Sequence, residues 1–168
     1  MKQLITILFI TLISFVTGGC GIYSFSGTSI QPDVQSITVN TIENRAMKVN
    51  PSLSNTMTNA LMDKYRRLTK LEMTNMDGDL EVSGNIMSYD VAPMAVTSAE
   101  VAAQNRLTIT VKITFVNRKH EEDNFEKSFA AFADYDSNQS LDSVEASLCD
   151  EIVEKLVEDI FNATVANW

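Results

Sequence analysis

From Leu107 to Phe115 apolar and polar residues alternate without a break. Leu107, Ile109, Val111, Ile113 and Phe115 fall on one side, and Thr108, Thr110, Lys112 and Thr114 on the other. A period of two sends successive side chains to opposite faces of a strand. The segment therefore predicts a strand with one face buried and the other solvated or covered by a polar partner. Other strands are predicted on weaker alternation. Gln35 to Ile42 sets Ile37 and Val39 on one face, Leu71 to Thr74 is a short strand, and Leu80 to Val91 sets Leu80, Val82 and Ile86 together. Past Ile86 the apolar phase moves to Met87, Tyr89 and Val91, which a bulge near Gly84 or Ser88 explains. Phe125 to Tyr135 reads as a returning strand, although Ala130, Ala131 and Ala133 are poor strand formers. Asp77-Gly78 is a tight-turn pair that predicts a hairpin. Ala92 to Gln104 is weakly patterned and reads as a mobile hairpin tip, and Asn117 to Asn124 as a charged turn.

Two segments switch to spacings of three and four. Leu53, Met57, Ala60, Leu61, Tyr65 and Leu68 form one stripe, with Asn50 placed to cap and Pro51 at the first helical position. Its other side carries Asp63, Lys64, Arg66, Arg67 and Lys70. After Ser140, a longer stripe runs through Leu141, Val144, Leu148, Ile152, Leu156 and Ile160, widened by Cys149, Val153, Val157 and Phe161. Its polar face is acidic: Asp142, Glu145, Asp150, Glu151, Glu154, Glu158 and Asp159 stand against Lys155. Together these elements predict an α+β fold, a mostly antiparallel sheet of about four strands with two amphipathic helices packed on one face.

The first residues follow a different logic. Lys2 precedes an apolar run from Leu4 to Val16, and Thr17-Gly18-Gly19 puts small residues before Cys20. That is the layout of an export signal, and the run is shorter than the roughly 20 residues that span a bilayer. Residues 1–19 are therefore read as a signal peptide, 20–34 as a lipidated tether leading into the domain, and 35–168 as a single α+β domain. A signal ending in small-small-Cys resembles the lipobox of bacterial lipoproteins, in which the cysteine is acylated and becomes the first mature residue. Thr17 stands where that pattern usually has Leu. Lipoproteins held at the inner membrane of many Gram-negative bacteria resemble one another in carrying Asp after the cysteine, and Gly21 stands there. The expectation is an outer-membrane lipoprotein, anchored through Cys20 and facing the periplasm.

Charge and composition narrow the function. The chain is acidic, with a net charge of −9, and loses one more base when residues 1–19 are removed. Such a surface binds nucleic acid and anionic membranes poorly, so no nucleic-acid partner is expected and any anionic ligand must meet a local basic cluster. With Cys20 lipidated, Cys149 has no partner for an intrachain disulfide. It lies on the apolar side of the second helix and reads as a small buried hydrophobe. The single histidine, His120, sits in Arg118-Lys119-His120-Glu121-Glu122 and reads as a surface-turn residue without metal-ligand spacing. Asp134, Asp136 and Asn138 alternate as in a calcium loop, with Glu145 at the twelfth place. Gln139 stands where that loop needs glycine, however, and a strand leads into it. No phosphate-binding glycine loop, G-x-S-x-G elbow or H-E-x-x-H occurs. A non-enzymatic protein without cofactor or metal is expected.

Cys20-Gly21-Ile22-Tyr23-Ser24-Phe25-Ser26-Gly27 resembles the start of the lipopolysaccharide-assembly lipoproteins of the LptE family. The Ser36-Ile37-Thr38-Val39 strand, the Leu53 to Leu68 helix, the Lys127-Ser128-Phe129 strand and the final helix follow in that family's order. The resemblance implies a plug inside the outer-membrane β-barrel LptD, a pair that inserts lipopolysaccharide into the outer leaflet, with lipopolysaccharide itself a ligand. It also implies a basic residue near the tip of the central hairpin. The matching stretch, Val96-Thr97-Ser98-Ala99-Glu100-Val101, has none. The residues themselves offer other candidates for an anionic ligand: Lys64, Arg66, Arg67 and Lys70 on the first helix, and Arg106, Arg118 and Lys119 near strand ends. A solvated helix face accounts for the first group equally. The rival reading is an auxiliary lipoprotein of a lipid-transport ABC system, a binding module of the same size and class.

Overall fold

The alternating segment is the axis of the sheet. A computed structural model describes residues 30–48, 50–94 and 103–165. Within it β1 (Ser36–Val39), β2 (Glu43–Asn44), α1 (Leu53–Leu68), β3 (Glu72–Met73), β4 (Leu80–Met94), β5 (Gln104–Asn117), β6 (Phe125–Asp136) and α2 (Leu141–Val165) follow in order. Leu107, Ile109, Val111, Ile113 and Phe115 are all buried, so β5 has the dry face its pattern predicts. It pairs antiparallel with β4 on one side and β6 on the other.

The fold is α+β, and its sheet is larger and more mixed than predicted. Six strands take the order β3-β1-β4-β5-β6, with β2 also on β4. The N-terminal strands are parallel: β1 pairs with β3 and β4, and β2 with β4. Asp77-Gly78 therefore does not close a hairpin. β3 and β4 flank β1, and residues 74–79 cross it. Asp77 takes the left-handed turn (φ 55°). Gly78 lies against the β1 backbone and donates its N–H to Thr38 Oγ1 at 3.0 Å. Thr38 is thereby buried on the side of β1 opposite Ile37 and Val39. Asp79 ends the crossing by accepting from Gln35 N (2.9 Å), Ser36 N (3.1 Å) and Ser36 Oγ (3.1 Å). The backbone donor at Gln35, foremost among these, holds the Asp79 carboxyl below its ordinary value.

The predicted bulge is present at Met87. Ile86 faces Val111 and Ser88 faces Thr110, which leaves Met87 between them. The extra residue turns Tyr89 inward, but Met87 and Val91 stay exposed, contrary to the predicted apolar face. The predicted hairpin tip is part strand, since β4 runs to Met94 and β5 begins at Gln104. Residues 95–102, with the Val96–Val101 stretch, lie outside the described residues, as do residues 1–29 with Cys20.

α1 begins one turn from Asn50, whose Oδ1 accepts from Ser52 N (3.0 Å) and Ser52 Oγ (2.8 Å). Leu53, Met57, Leu61 and Tyr65 are buried as predicted, whereas Leu68 is 48% exposed. The helix ends at Thr69, whose N–H and hydroxyl both bond Tyr65 O. Ile42 ties the strands to α1, donating to Thr58 Oγ1 (3.0 Å) and accepting from Ser54 Oγ (2.6 Å). α2 packs on β6 and β5, and α1 lies beside it over β1 and β2. Where the helices meet, the rings of Tyr65 and Phe161 stand 5.4 Å apart. The Tyr65 hydroxyl shares a 2.6 Å hydrogen bond with Thr164, and burial pushes its pKa up, so the phenol stays neutral.

Candidate functional site

Both helices cover the same face of the sheet, and the opposite face of β4, β5 and β6 is left without a covering layer of described structure. Register fixes its rows. Ser83, Thr114 and Glu126 lie side by side, then Asn85, Lys112 and Ser128, then Ser88, Thr110 and Ala130, then Asp90, Thr108 and Phe132. Hydroxyls and small side chains dominate. Both of its bases are paired, Lys112 with Glu126 at 2.7 Å and Arg106 with Asp134 through two bonds of 2.7 and 2.8 Å, and Asp90 is exposed beside them. The fork-to-carboxylate geometry holds Asp134 below and Arg106 above their ordinary pKa values, the Arg106–Asp134 bond leading in each case. Arg106 also stacks on Phe132, 3.6 Å from the ring centre. Phe132 is the exposed aromatic of this face, at 44%. Nothing singled it out in the sequence analysis. The signal was nonetheless present, because Phe129 and Tyr135 point inward and a period of two then sends Phe132 outward.

The predicted basic candidates do not converge. Arg106 lies near the start of β5 and Arg118 just past its end, roughly 40 Å apart at 3.3 Å per residue. Arg118 reaches Glu81 at 2.6 Å, and Lys119 lies 3.5 Å from Asp79. On α1, Lys64 pairs with Glu158 of α2 and sits over the Phe161 ring. Arg66 bonds Asp63 at 2.8 Å, and Arg67 bonds the Asp63 carbonyl at 3.3 Å. Lys70 is exposed beyond the helix end, beside a hollow of about 510 Å³ that Gln31, Val34 and Leu71 also line. Of the basic side of α1, Lys64 thus meets the acidic side of α2, while Arg66 and Arg67 bond within their own helix.

Other sequence candidates are also engaged. His120 Nε2 lies 3.0 Å from Asp33 Oδ1, which raises the histidine pKa and lowers that of the carboxylate. Asp134 is held by Arg106. Glu145, at the twelfth place of the calcium-like stretch, accepts from the Tyr89 hydroxyl at 2.6 Å. Cys149 is buried, and desolvation raises its pKa. Among the described residues no helix is long and apolar enough to cross a membrane.

Two solved structures share the architecture. They are the hypothetical protein CT253 of Chlamydia trachomatis (TM-score 0.51, 8% identity, covering 80% of this chain and 99% of that one) and protein XCC0632 of Xanthomonas campestris (0.50, 7%, 79% and 88%). A minor lipoprotein of Acinetobacter baumannii is also similar (0.45, 12%, 76% and 89%). At such identities the likeness concerns the fold alone. No curated protein sequence matches the chain at a significant level. The family model described as lipopolysaccharide-assembly LptE matches residues 34–164. That span runs from just ahead of β1 to the last turn of α2, and the chain therefore belongs to the LptE lipopolysaccharide-assembly family.

Proposed function

We propose that this family member is a non-enzymatic outer-membrane lipoprotein, anchored by lipid on Cys20 after loss of residues 1–19, that plugs and supports an LptD-type barrel. The observation that carries the reading is the family match across the whole described domain. The geometry is compatible with it. A face of threonines, serines and closed ion pairs suits the polar lumen of a barrel better than a lipid surface does. Five strands in a row span about 24 Å at 4.8 Å per strand. A helix layer on one side adds about 10 Å. Only a barrel of the large, plugged class encloses a body of that size. Acyl chains on Cys20, at about 0.8 kcal/mol per buried CH2, keep the plug at the membrane while barrel and domain assemble. Direct contact of lipopolysaccharide with Lys64, Arg66, Arg106, Arg118 or Lys119 would first require their ion pairs to open.

The test is a mild-detergent pull-down of tagged full-length protein from outer membranes, with a photo-crosslinking residue at Thr110 or Ser128. Capture of an LptD-type barrel in roughly equal amount, crosslinked from those positions, is the expected result. Capture of inner-membrane transporter subunits alone would replace it with the auxiliary-lipoprotein reading.

A further inference from the structure

The sheet ends at β6, and the structure shows how that edge is kept. Lys155 of α2 reaches past the strand and donates to the carbonyl of Phe132 at 3.0 Å while holding Glu151 at 2.7 Å. The Phe132 carbonyl therefore points away from β5. In an antiparallel ladder, residues alternate between pairing inward and turning both backbone groups outward. Glu126, Ser128, Ala130 and Asp134 thus share the outward orientation of Phe132, and no strand of the described residues lies beyond them. A row of open N–H and C=O groups is a template for another strand. Alongside it runs a hollow of about 630 Å³, with Ala131 and Phe132 as its apolar floor and Glu151, Glu154, Glu158 and Asp159 of α2 as its wall.

We infer that the β6 edge is a strand-addition site for an extended, basic segment of a partner polypeptide. The backbone of β6 supplies the ladder, Phe132 an apolar anchor, and the acidic wall of α2 the choice of charge. A second copy of this chain fits poorly, because edge-to-edge pairing would bring two acidic α2 walls together in a protein of net charge −9. Lys155 is the built-in occupant: its ammonium caps one outward carbonyl and neutralises one carboxylate until an incoming strand supplies both a donor and a base. This site runs along the sheet edge and, of its side chains, shares only Phe132 with the hydroxyl-rich face, and it does not depend on the identity of the barrel.

The experiment uses the full lipoprotein in detergent and a ten-residue peptide of alternating lysine and valine. Glutamate-valine and N-methylated lysine-valine versions serve as controls. Amide hydrogen exchange and fluorescence anisotropy are read together. The lysine-valine peptide is expected to slow exchange at Ser128, Ala130 and Phe132, and neither control is. Glu154→Lys with Asp159→Lys should weaken binding about tenfold. Lys155→Ala should strengthen it by freeing the Phe132 carbonyl. Ala130→Pro should weaken it while leaving the β5 ladder intact, because it removes an outward donor. Binding without protection of these amides, equal binding of the glutamate peptide, or protection that rises with protein concentration alone would each overturn the inference.

Discussion

Replacing Gly78 by alanine should be among the most damaging single-methyl changes in the protein. A Cβ at this position would stand 2.7 Å from Thr38 N, 2.8 Å from Ile37 C and 2.8 Å from Leu80 O. All three are backbone atoms, so no rotamer change relieves the clash. Either β1 shifts within the sheet or the crossing segment lifts off it. Overpacking of this kind costs about 1–3 kcal/mol. Lifting also stretches the Gly78 N–H bond to Thr38 Oγ1, worth about 1 kcal/mol. The sum is about 2–4 kcal/mol, and for a domain of this size each kcal/mol moves the melting temperature by about 3–5 °C. A fall of about 6–20 °C is expected in thermal unfolding of residues 20–168 with Cys20→Ser to prevent lipidation, with a matching loss in urea. Thr38→Val, which leaves the Gly78 amide without its acceptor, should fall in the same direction, and Thr38→Ser much less. The result discriminates between topologies. If residues 77 and 78 simply turned a β3–β4 hairpin, alanine would fit with little cost. A Gly78→Ala protein melting within about 2 °C of its parent would refute the crossing over β1.

Asp79→Ala removes the acceptor for the Gln35 and Ser36 amides and should cost about 1–2 kcal/mol by urea unfolding at neutral pH. Because the folded carboxyl is held below its unfolded value near 3.8, that contribution is present above this pH and fades as acid protonates the folded group, so parent and variant should converge in acid. The sole histidine gives a clean NMR titration. His120 should titrate above its ordinary value of 6.5 and drop toward it in Asp33→Asn, while an unchanged midpoint would contradict the contact. The histidine's share of stability is full below about 6.5 and is lost as pH rises through the folded pKa; the Asp33 share is present above its unfolded value and lost in acid. Tyr65→Phe should destabilise by about 1 kcal/mol through the lost bond to Thr164, and no loss would mean that the hydroxyl is satisfied elsewhere. Cys149 should resist a thiol reagent in the folded Cys20→Ser protein and react on denaturation; fast labelling of the native state would contradict its burial.

What the sequence revealed divides along a physical line. Long elements were legible because each carries its own period. β5 alternates without a break from Leu107 to Phe115, and α1 and α2 repeat at three and four. Even the bulge at Met87 announced itself as a phase shift between Ile86 and Tyr89. Short strands were not legible in the same way. β2 and β3 have two residues each, too few to show a period, and their pairing is decided by where the long elements leave room. Asp77-Gly78 was misleading for a related reason. A turn-forming pair reports a local reversal, and Asp77 does adopt the left-handed conformation, but the turn itself does not say whether the next strand lies adjacent or one place over. Leu68 fitted the stripe of α1 yet is exposed as the last residue of the helix.

The basic candidates failed to form a cluster for a reason that also bears on function. Composition makes the bases scarce relative to acids, and folding places nearly every candidate beside a carboxylate: Lys64 with Glu158, Arg66 with Asp63, Arg106 with Asp134, Arg118 with Glu81 and Lys119 with Asp79. Most of these pairs are exposed and add little stability individually. Their consequence is the charge pattern that remains. The hydroxyl-rich face of the sheet ends near neutrality, and the surplus of acid is concentrated on α2, which presents Glu151, Glu154 and Asp159 to solvent. A body with one neutral polar face and one acidic face has a preferred orientation inside any lumen whose wall is unevenly charged. In the plug reading we expect that asymmetry to set the rotation of the domain, with the acidic helix turned toward the more basic wall of the lumen.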